Sequence, residues 1–532
     1  LQDISLAAHP LDKDQTAAEA WGQPAWADYT GVSRTLSGLS WDEVHELEQA
    51  LEETSQPLLQ AETQLIRAQG KRLRLDGDLT GIPVSSTSKT YPNAAFGHMN
   101  DEIRLGYQAS VVSLESPTYR RLWLSVEHHP GDTVSCTQAE SLALAAEDRL
   151  GLQPRRRTDL LRQRIQAFEA AMEPTKERLK TQRKALETAQ ARVEEANQQI
   201  QERKLVMTDL EQVYQARQRL ERPTSKLAQA RKRLQAAIRR CESRKKDYQL
   251  TQKRLEKTQA RLSTYQAELA HLQQRLQRFE QENAANPDAI EAEFRLDAGF
   301  GTYENVALLM EMGYEIYIKP KNHKVVSFLR NKISEHNAWT RVGANAEMMA
   351  WPNLPLNNCP YPLDAAVERF YTGKTLKHSA LLHFGNDPVT TDLGGWFEHY
   401  NGRQTIEAGI KEGKQVFYLH RIKVRSEPAI YLQECFVIFA ANFIRWATHW
   451  MATQAQPDEN ALDVSGLGIK HQVKVAAHVS ASVVRDSKGM LLKFSPYSAF
   501  SGKVLRLQSG GKSPPAKHIF FDILCRFLPL RI

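Results

Sequence analysis

Glu291–Lys321, EAEFRLDAGFGTYENVALLMEMGYEIYIKPK, is the stretch whose reading decides the fold. A strand-like run to Leu296, a glycine-containing turn, a helical segment and a second strand-like run follow one another, the unit from which α/β sheets are built. Asp297 stands at the end of the first strand. In open α/β sheets that end is where ligands bind, so the stretch predicts an α/β core and one candidate functional carboxylate.

Upstream, Lys71–Ser85 (KRLRLDGDLTGIPVS) reads as a strand with Leu73 and Leu75 on one face and Arg72, Arg74, Asp76 and Asp78 on the other, ending in a Gly/Pro turn. YQASVVSLE (107–115) and RLWLSVEH (121–128) are further strand-like runs, and their short links suggest an antiparallel meander. Ser40 and Glu43 have capping-box spacing ahead of VHELEQALEE, so a small helical unit is expected in the first seventy residues.

From about Asp159 to Glu282 the character changes. Ile165, Met172, Leu179, Leu186, Val193, Ile200, Met207 and Tyr214 recur every seven residues, and so do Leu227, Leu234, Cys241, Tyr248, Leu255, Leu262, Leu269 and Leu276. The repeat is interrupted at ERPTS, where Pro223 stops one helix and Ser225 can cap the next, which predicts an antiparallel coiled-coil hairpin with arms of roughly 70–90 Å. Pro174 is expected to break or kink the first arm. Arg155–Glu280 holds 31 Lys and Arg against 16 Asp and Glu in a chain of net charge +8, leaving the remainder slightly acidic. The basic arm suggests DNA-backbone tracking or synapsis, with a dimerisation or spacer role as the alternative.

At 532 residues the chain exceeds one ordinary core, and two to four units are expected; 41% hydrophobic residues suit folded domains. Cys136, Cys241, Cys359, Cys435 and Cys525 show no CxxC spacing, which suits ordinary buried thiols in a reducing compartment and argues against a cysteine zinc site. No signal-peptide pattern opens the sequence, and because it begins on Leu1 a start further upstream is expected. CFVIFAANFIRWATHWM (435–451) carries Asn442, Arg445 and His449 and reads as a buried helix, so no membrane partner is expected.

The chemistry concentrates in YNGRQTIEAGIKEGK (400–414). Tyr400, Arg403, Glu407, Lys411 and Lys414 share one stripe if the run is a single α-helix, with Ile406 and Ile410 toward another face. Such a stripe can hold phosphates with its cations and a metal with its carboxylate; the plainer reading is a solvated face of ion pairs. The spacing Tyr-x2-Arg-x3-Glu-x6-Lys resembles the signature of a large group of bacterial insertion-sequence transposases, the DDE cut-and-paste enzymes. LDGDLTG resembles the first-Asp strand of that family, FRLDAGFGTYEN its second-Asp segment, and LQECFVIFAANFIRW its C-terminal core helix.

The resemblance implies an α/β, RNase H-like core of mixed sheet and helices, interrupted by the coiled-coil hairpin and a β-rich insertion. It implies Asp297 and Glu407 as the second and third catalytic carboxylates and metal ligands, with either Asp78 or Asp76 as the first; Asp78 is preferred because it stands two residues before Thr80, and Asp76, on the same strand face, stays open for that role and as a metal ligand. Tyr400, Arg403, Lys411 and Lys414 would contact DNA. Two Mg²⁺ ions, with Mn²⁺ able to substitute, would serve phosphodiester hydrolysis at transposon ends and strand transfer to target DNA. Partners would be double-stranded transposon-end and target DNA and a second copy in a synaptic homodimer, in the bacterial cytoplasm at the nucleoid. A nuclease or domesticated relative is the nearest alternative. A catalytically inactive DNA-bridging coiled-coil protein is the alternative outside enzymes, its ATP-driven versions disfavoured by the lack of a Walker A sequence.

The expected divisions are an N-terminal helical region (1–70), a first core part (71–158), the hairpin (159–286), a second core part (287–321), a β-rich insertion (322–391), a C-terminal core part (392–452) and a tail (453–532) with strand-like patches such as HQVKVAAHVSASVV. Trp339 and Trp351 read as packing residues, with stacking on a displaced base as the alternative. Gly373-Lys374-Thr375 lacks the rest of a phosphate loop and is read as chance, and His128, His129, His399 and His420 as core or surface histidines.

Overall fold

The computed structural model describes residues 15, 29–86, 91–99, 102–333, 338–356, 359–420, 422, 424–454, 468–476, 481–487, 489–494 and 504–507. Two compact units divide them: one runs to Arg156 and resumes at Asn286, and the other is Arg157–Ala285.

The first unit opens with helices α1 (Tyr29–Ser37) and α2 (Trp41–Ala68). The capping box forms as expected, with Ser40 Oγ accepting from the Glu43 amide and the Glu43 carboxylate accepting from the Ser40 amide. However, α2 is not a separate unit: its buried Glu62 accepts from Ser116 Oγ at 2.6 Å. Strands β1 (Leu73–Pro83), β2 (Ala95–Met99), β3 (Glu102–Ser116) and β4 (Arg120–Pro130) follow, and β3 pairs antiparallel with the other three. Helix α3 (Ala139–Leu150) closes this part.

The second unit is two long helices, α4 (Thr158–Ala216) and α5 (Lys226–Ala285), in antiparallel contact. Met172, Leu179 and Leu262 are buried between them, Phe168 meets Tyr265 edge-on at 5.6 Å, and Arg203 and Arg244 donate to the carbonyls of Arg233 and Arg192. Ser225 Oγ accepts from the Ala228 amide, as a cap should. Pro174 lies inside α4, which is not broken there; the apolar contacts of Met172 and Leu179 on either side offset the one lost backbone bond.

Back in the first unit, β5 (Ala292–Leu296), α6 (Tyr303–Glu311) and β6 (Glu315–Ile318) realise the deciding stretch, with Thr302 capping α6. β5 lies parallel to β1 on one side and to β6 on the other. The expected β-rich insertion differs in two respects. It opens with helix α7 (His323–Lys332), and its strands β7 (Thr340–Arg341), β8 (Ala346–Leu354), β9 (Leu363–Thr372) and β10 (Thr375–Phe384) extend the same sheet, because β10 pairs antiparallel with β6. Ten strands form that sheet, in the order β2-β3-β1-β5-β6-β10-β9-β8-β7 with β4 on β3. Gly373 and Lys374 form the β9–β10 turn, where Gly373 has φ +60°, so the Gly-Lys-Thr triplet is hairpin chemistry. Trp339 carries the Arg369 guanidinium over its ring and Trp351 is half-buried on β8.

Helices α8 (Leu393–Asn401), α9 (Gln404–Gln415) and α10 (Glu427–Gln454) cover one face. Ile82, Tyr107, Val111 and Trp123 of the sheet share a core with Ile406, Ile430, Val437 and Ala441 of the helices. Asn442 of α10 accepts from the Trp123 amide and donates to the Trp123 carbonyl, both at 2.8 Å, closing the irregular edge of β4. Beyond this, HQVKVA is not strand but part of helix α11 (Ile469–Ala476); residues 477–480 lie outside those described, and β11 (Ala481–Asp486), β12 (Gly489–Phe494) and β13 (Val504–Leu507) form a separate antiparallel sheet. Among the described residues no helix is long and apolar enough to cross a membrane. Cys241 and Cys435 are buried and Cys136 and Cys359 partly exposed; Cys525 lies outside the described residues.

One charged network sits inside this core. Asp76 on β1 is fully buried and bonds the guanidinium of Arg295 on β5 at 2.7 and 2.9 Å and that of Arg121 on β4 at 3.2 Å. Arg295 also reaches Glu115 on β3 at 2.6 Å. Burial alone would lower the Arg295 pKa, but Asp76 and Glu115 more than offset it and leave it raised. Removing Arg295 leaves the buried Asp76 carboxylate with Arg121 alone, through one bond at 3.2 Å. Arg295→Met is therefore expected to cost about 3–5 kcal/mol in urea unfolding. A loss below about 1 kcal/mol would show that the network is not what holds these strands.

Candidate active site

The register of β1 against β5 builds the site. Asp76 and Arg295 are direct partners and the last pair in this parallel ladder, so the next positions on the same face are Asp78 and, just past the end of β5, Asp297. A further step across, Leu296 partners Ile318, which places Lys319 beside Asp297 at the end of β6. Asp78 in the middle of β1, Asp297 just past β5 and Lys319 just past β6 thus form a row across three adjacent parallel strands. Asp297 Oδ1 accepts from the Gly299 amide at 2.8 Å and Asp78 Oδ1 from the Leu79 amide at 2.8 Å, so each carboxylate keeps one oxygen less committed.

The run 400–414 does not form one helix. Tyr400 belongs to α8, the chain turns at Gly402–Arg403, and α9 starts at Gln404. The cause is Arg295. Its Nη1 donates to the carbonyl of His399 at 2.9 Å, and a Cβ on Gly402 would lie 2.8 Å from that atom. The guanidinium satisfies an α8 carbonyl near its end, and glycine leaves room for it.

Helix α9 packs closely because Ile406, Gly409 and Gly413 are buried, and a Cβ on Gly409 would stand 2.7 Å from the Trp123 ring. That turns Glu407 and Lys414 toward β1. Arg403 bonds Glu407 at 2.7 Å, approaches Asp78 at 3.8 Å, and leaves Nη1 buried with no hydrogen-bond partner among the described residues. Lys414 Nζ donates to the Gly81 carbonyl at 3.0 Å, and burial lowers its pKa against the pull of Asp78. Tyr400 is buried and donates to the Leu296 carbonyl at 3.1 Å, while its ring lies 5.3 Å from the Lys319 ammonium. Lys411 is exposed on α9.

Asp78 therefore lies within the influence of Arg403, Asp297 and Glu407, with Lys414 and Tyr400 nearby, while the Glu407 side chain is more than half exposed. Asp76 does not join them: its carboxylate is enclosed by Arg295 and Arg121, which corrects its reading as a metal ligand. Lys319 was missed. The only sequence signal for it is its place at the end of the strand EIYI. The histidines are partnered: His128 with buried Glu434, His129 with Ser110, and His399 with Glu293.

Burial, with the charges of Asp297 and Glu407, pushes the Asp78 carboxyl up to about 7 even though Arg403 pulls the other way. A buried carboxyl with two further acids near it makes a site short of positive charge. No protein-family model matches the chain, and no curated protein is significantly similar to it.

The folded chain holds a proton on Asp78 that the unfolded chain releases near pH 4. Stability from this group is thus full below about 4 and lost as pH rises through about 7. With a chelator present, Asp78→Asn is expected to gain on the order of 1–3 kcal/mol over wild type at pH 8 and little at pH 4. An equal effect at both pH values would contradict the crowded-acid geometry.

Proposed function

We propose that this protein is a DNA transposase of the DDE type, with Asp78, Asp297 and Glu407 as its catalytic carboxylates. The observation that carries the reading is the convergence of three carboxylates, from two neighbouring parallel strands and a facing helix, with Arg403, Lys414 and Tyr400 around them. The sheet supports an RNase H-like core: along β4-β3-β1-β5-β6 it is antiparallel across the first three strands and parallel across the last three. The paired long helices support the coiled-coil hairpin, and its basic composition supports DNA as the partner.

The donor set fits Mg²⁺ or Mn²⁺, because it is all carboxylate oxygen and its crowding favours added positive charge. Asp78, Asp297 and Glu407 would hold the ions. Once bound, such ions supply an activated oxygen nucleophile and neutralise charge on the phosphate. Arg403, which spans Asp78 and Glu407, is placed to turn to a phosphate oxygen once those acids are neutralised, and Lys414 and Lys411 to hold the backbone beyond it. Tyr400, its hydroxyl committed to Leu296, positions the end of β5 and so orients Asp297. A second copy and target DNA complete the proposed assembly.

A second reading, a non-catalytic DNA-bridging protein, is favoured by Arg403, whose guanidinium already places positive charge between Asp78 and Glu407. One experiment separates the two. Oligonucleotide duplexes carrying the terminal inverted repeats that flank the gene are incubated with the protein and Mg²⁺ or Mn²⁺. End cleavage followed by joining to a target plasmid is expected, with at least a ~100-fold loss in Glu407→Gln and DNA binding retained. Cleavage without joined product would leave a nuclease, and binding without cleavage would leave the bridging protein.

A further inference from the structure

A second cluster lies at the opposite end of the parallel strands, where β6 begins and β10 ends. We propose that Glu315, His383 and Asp387 bind one divalent transition-metal cation of the Zn²⁺, Co²⁺ or Mn²⁺ class, which clamps the end of β10 to the start of β6. One ligand atom from each residue lies within 4.8 Å of the other two. The acids alone would not carry this. His383 does, because it is 1% exposed, and its Nδ1 donates to the Ile316 carbonyl at 2.8 Å. A carbonyl only accepts, so the proton is on Nδ1 and Nε2 bears a lone pair.

Nε2 is buried and meets no hydrogen-bond partner among the described residues. An imidazole held through one nitrogen by a backbone carbonyl, with the other nitrogen free, is how metal-binding histidines are oriented. The ring cannot easily turn to find another partner, since it is stacked on Tyr317 at 4.1 Å and meets Trp396 edge-on at 4.9 Å.

Arg72 is the competing cation. It approaches Glu315 at 3.0 Å and Asp387 at 2.8 Å, but it is one positive charge between two carboxylates and makes no hydrogen bond to His383 Nε2. Glu315 Oε2 is buried without a well-formed hydrogen bond. Space is kept beside it: a Cβ on Gly385 would come within 2.4 Å of Glu315 Oε2 and 2.7 Å of His383 Cε1.

One imidazole with two carboxylates favours borderline transition cations over Mg²⁺ and Ca²⁺, and three protein ligands leave room for water. The effect would be structural. Trp396 Nε1 donates to the Asp387 carbonyl at 3.2 Å, so fixing Asp387 fixes the approach to α8, which carries His399 and Tyr400.

The inference is independent of the proposed reaction, and its test removes the other acids first. Co²⁺ is titrated into the full chain carrying Asp297→Asn and Glu407→Gln while visible d–d absorption is followed. One Co²⁺ per chain is expected, displaced by Zn²⁺, with affinity at least about 10-fold weaker when Asp387→Asn is added and the absorption band lost when His383→Gln is added. Asp387 is half-exposed, so its variant keeps the test valid if the buried histidine change disturbs folding, which circular dichroism reports. Absence of binding at millimolar Co²⁺, or binding indifferent to Asp387→Asn, would overturn the site.

Discussion

Asp76 and Arg295 form the contact on which the rest of the arrangement depends. Their pairing across β1 and β5 is set by charge inside a sheet where neither can reach water. Apolar side chains at these two positions could give comparable or greater stability but would tolerate a slipped register more readily. With the register fixed, the next same-face residues are Asp78 and Asp297. The same guanidinium satisfies the His399 carbonyl of α8 and contacts Glu115 on β3, so one side chain aligns two strands, touches a third and ends a helix where Arg403 can turn toward the acids.

Much of this was legible in the sequence, for local reasons. The capping box at Ser40, the meander strands, the strand–helix–strand around Asp297 and the two heptad-bearing helices all follow from periodicity and turn chemistry acting within a few residues. What was not legible depends on distant partners. The 400–414 run has the spacing of one helix, and at its break Arg295, 104 residues away, takes the His399 carbonyl. Strands β7–β10 read as an insertion because nothing local states that β10 will pair with β6. Asp76 and Asp78 share a face and differ in distant neighbours, Arg295 and Arg121 for one and Asp297 and Arg403 for the other.

The candidate site is a balance of charge. Burial pushes the Asp78 carboxyl up to about 7, with smaller contributions from Asp297 and Glu407, and Arg403 offsets the rise only in part. On the proposed reading this is useful: a buried carboxyl beside two further acids is predisposed to take up divalent cations, and a guanidinium released from it becomes available to phosphate. The basic charge that would grip the DNA backbone is concentrated elsewhere, in the unit formed by α4 and α5. Chemistry and grip would then be carried by separate parts of one chain.

The most direct test of this account is the anomalous scattering of crystals grown with Mn²⁺. The account predicts manganese bounded by the carboxylates of Asp78, Asp297 and Glu407, with Asp76 still paired to Arg295 and Arg403 turned away from the acids. Crystals saturated with Mn²⁺ in which Arg403 still spans Asp78 and Glu407, and no manganese lies among the three carboxylates, would contradict it.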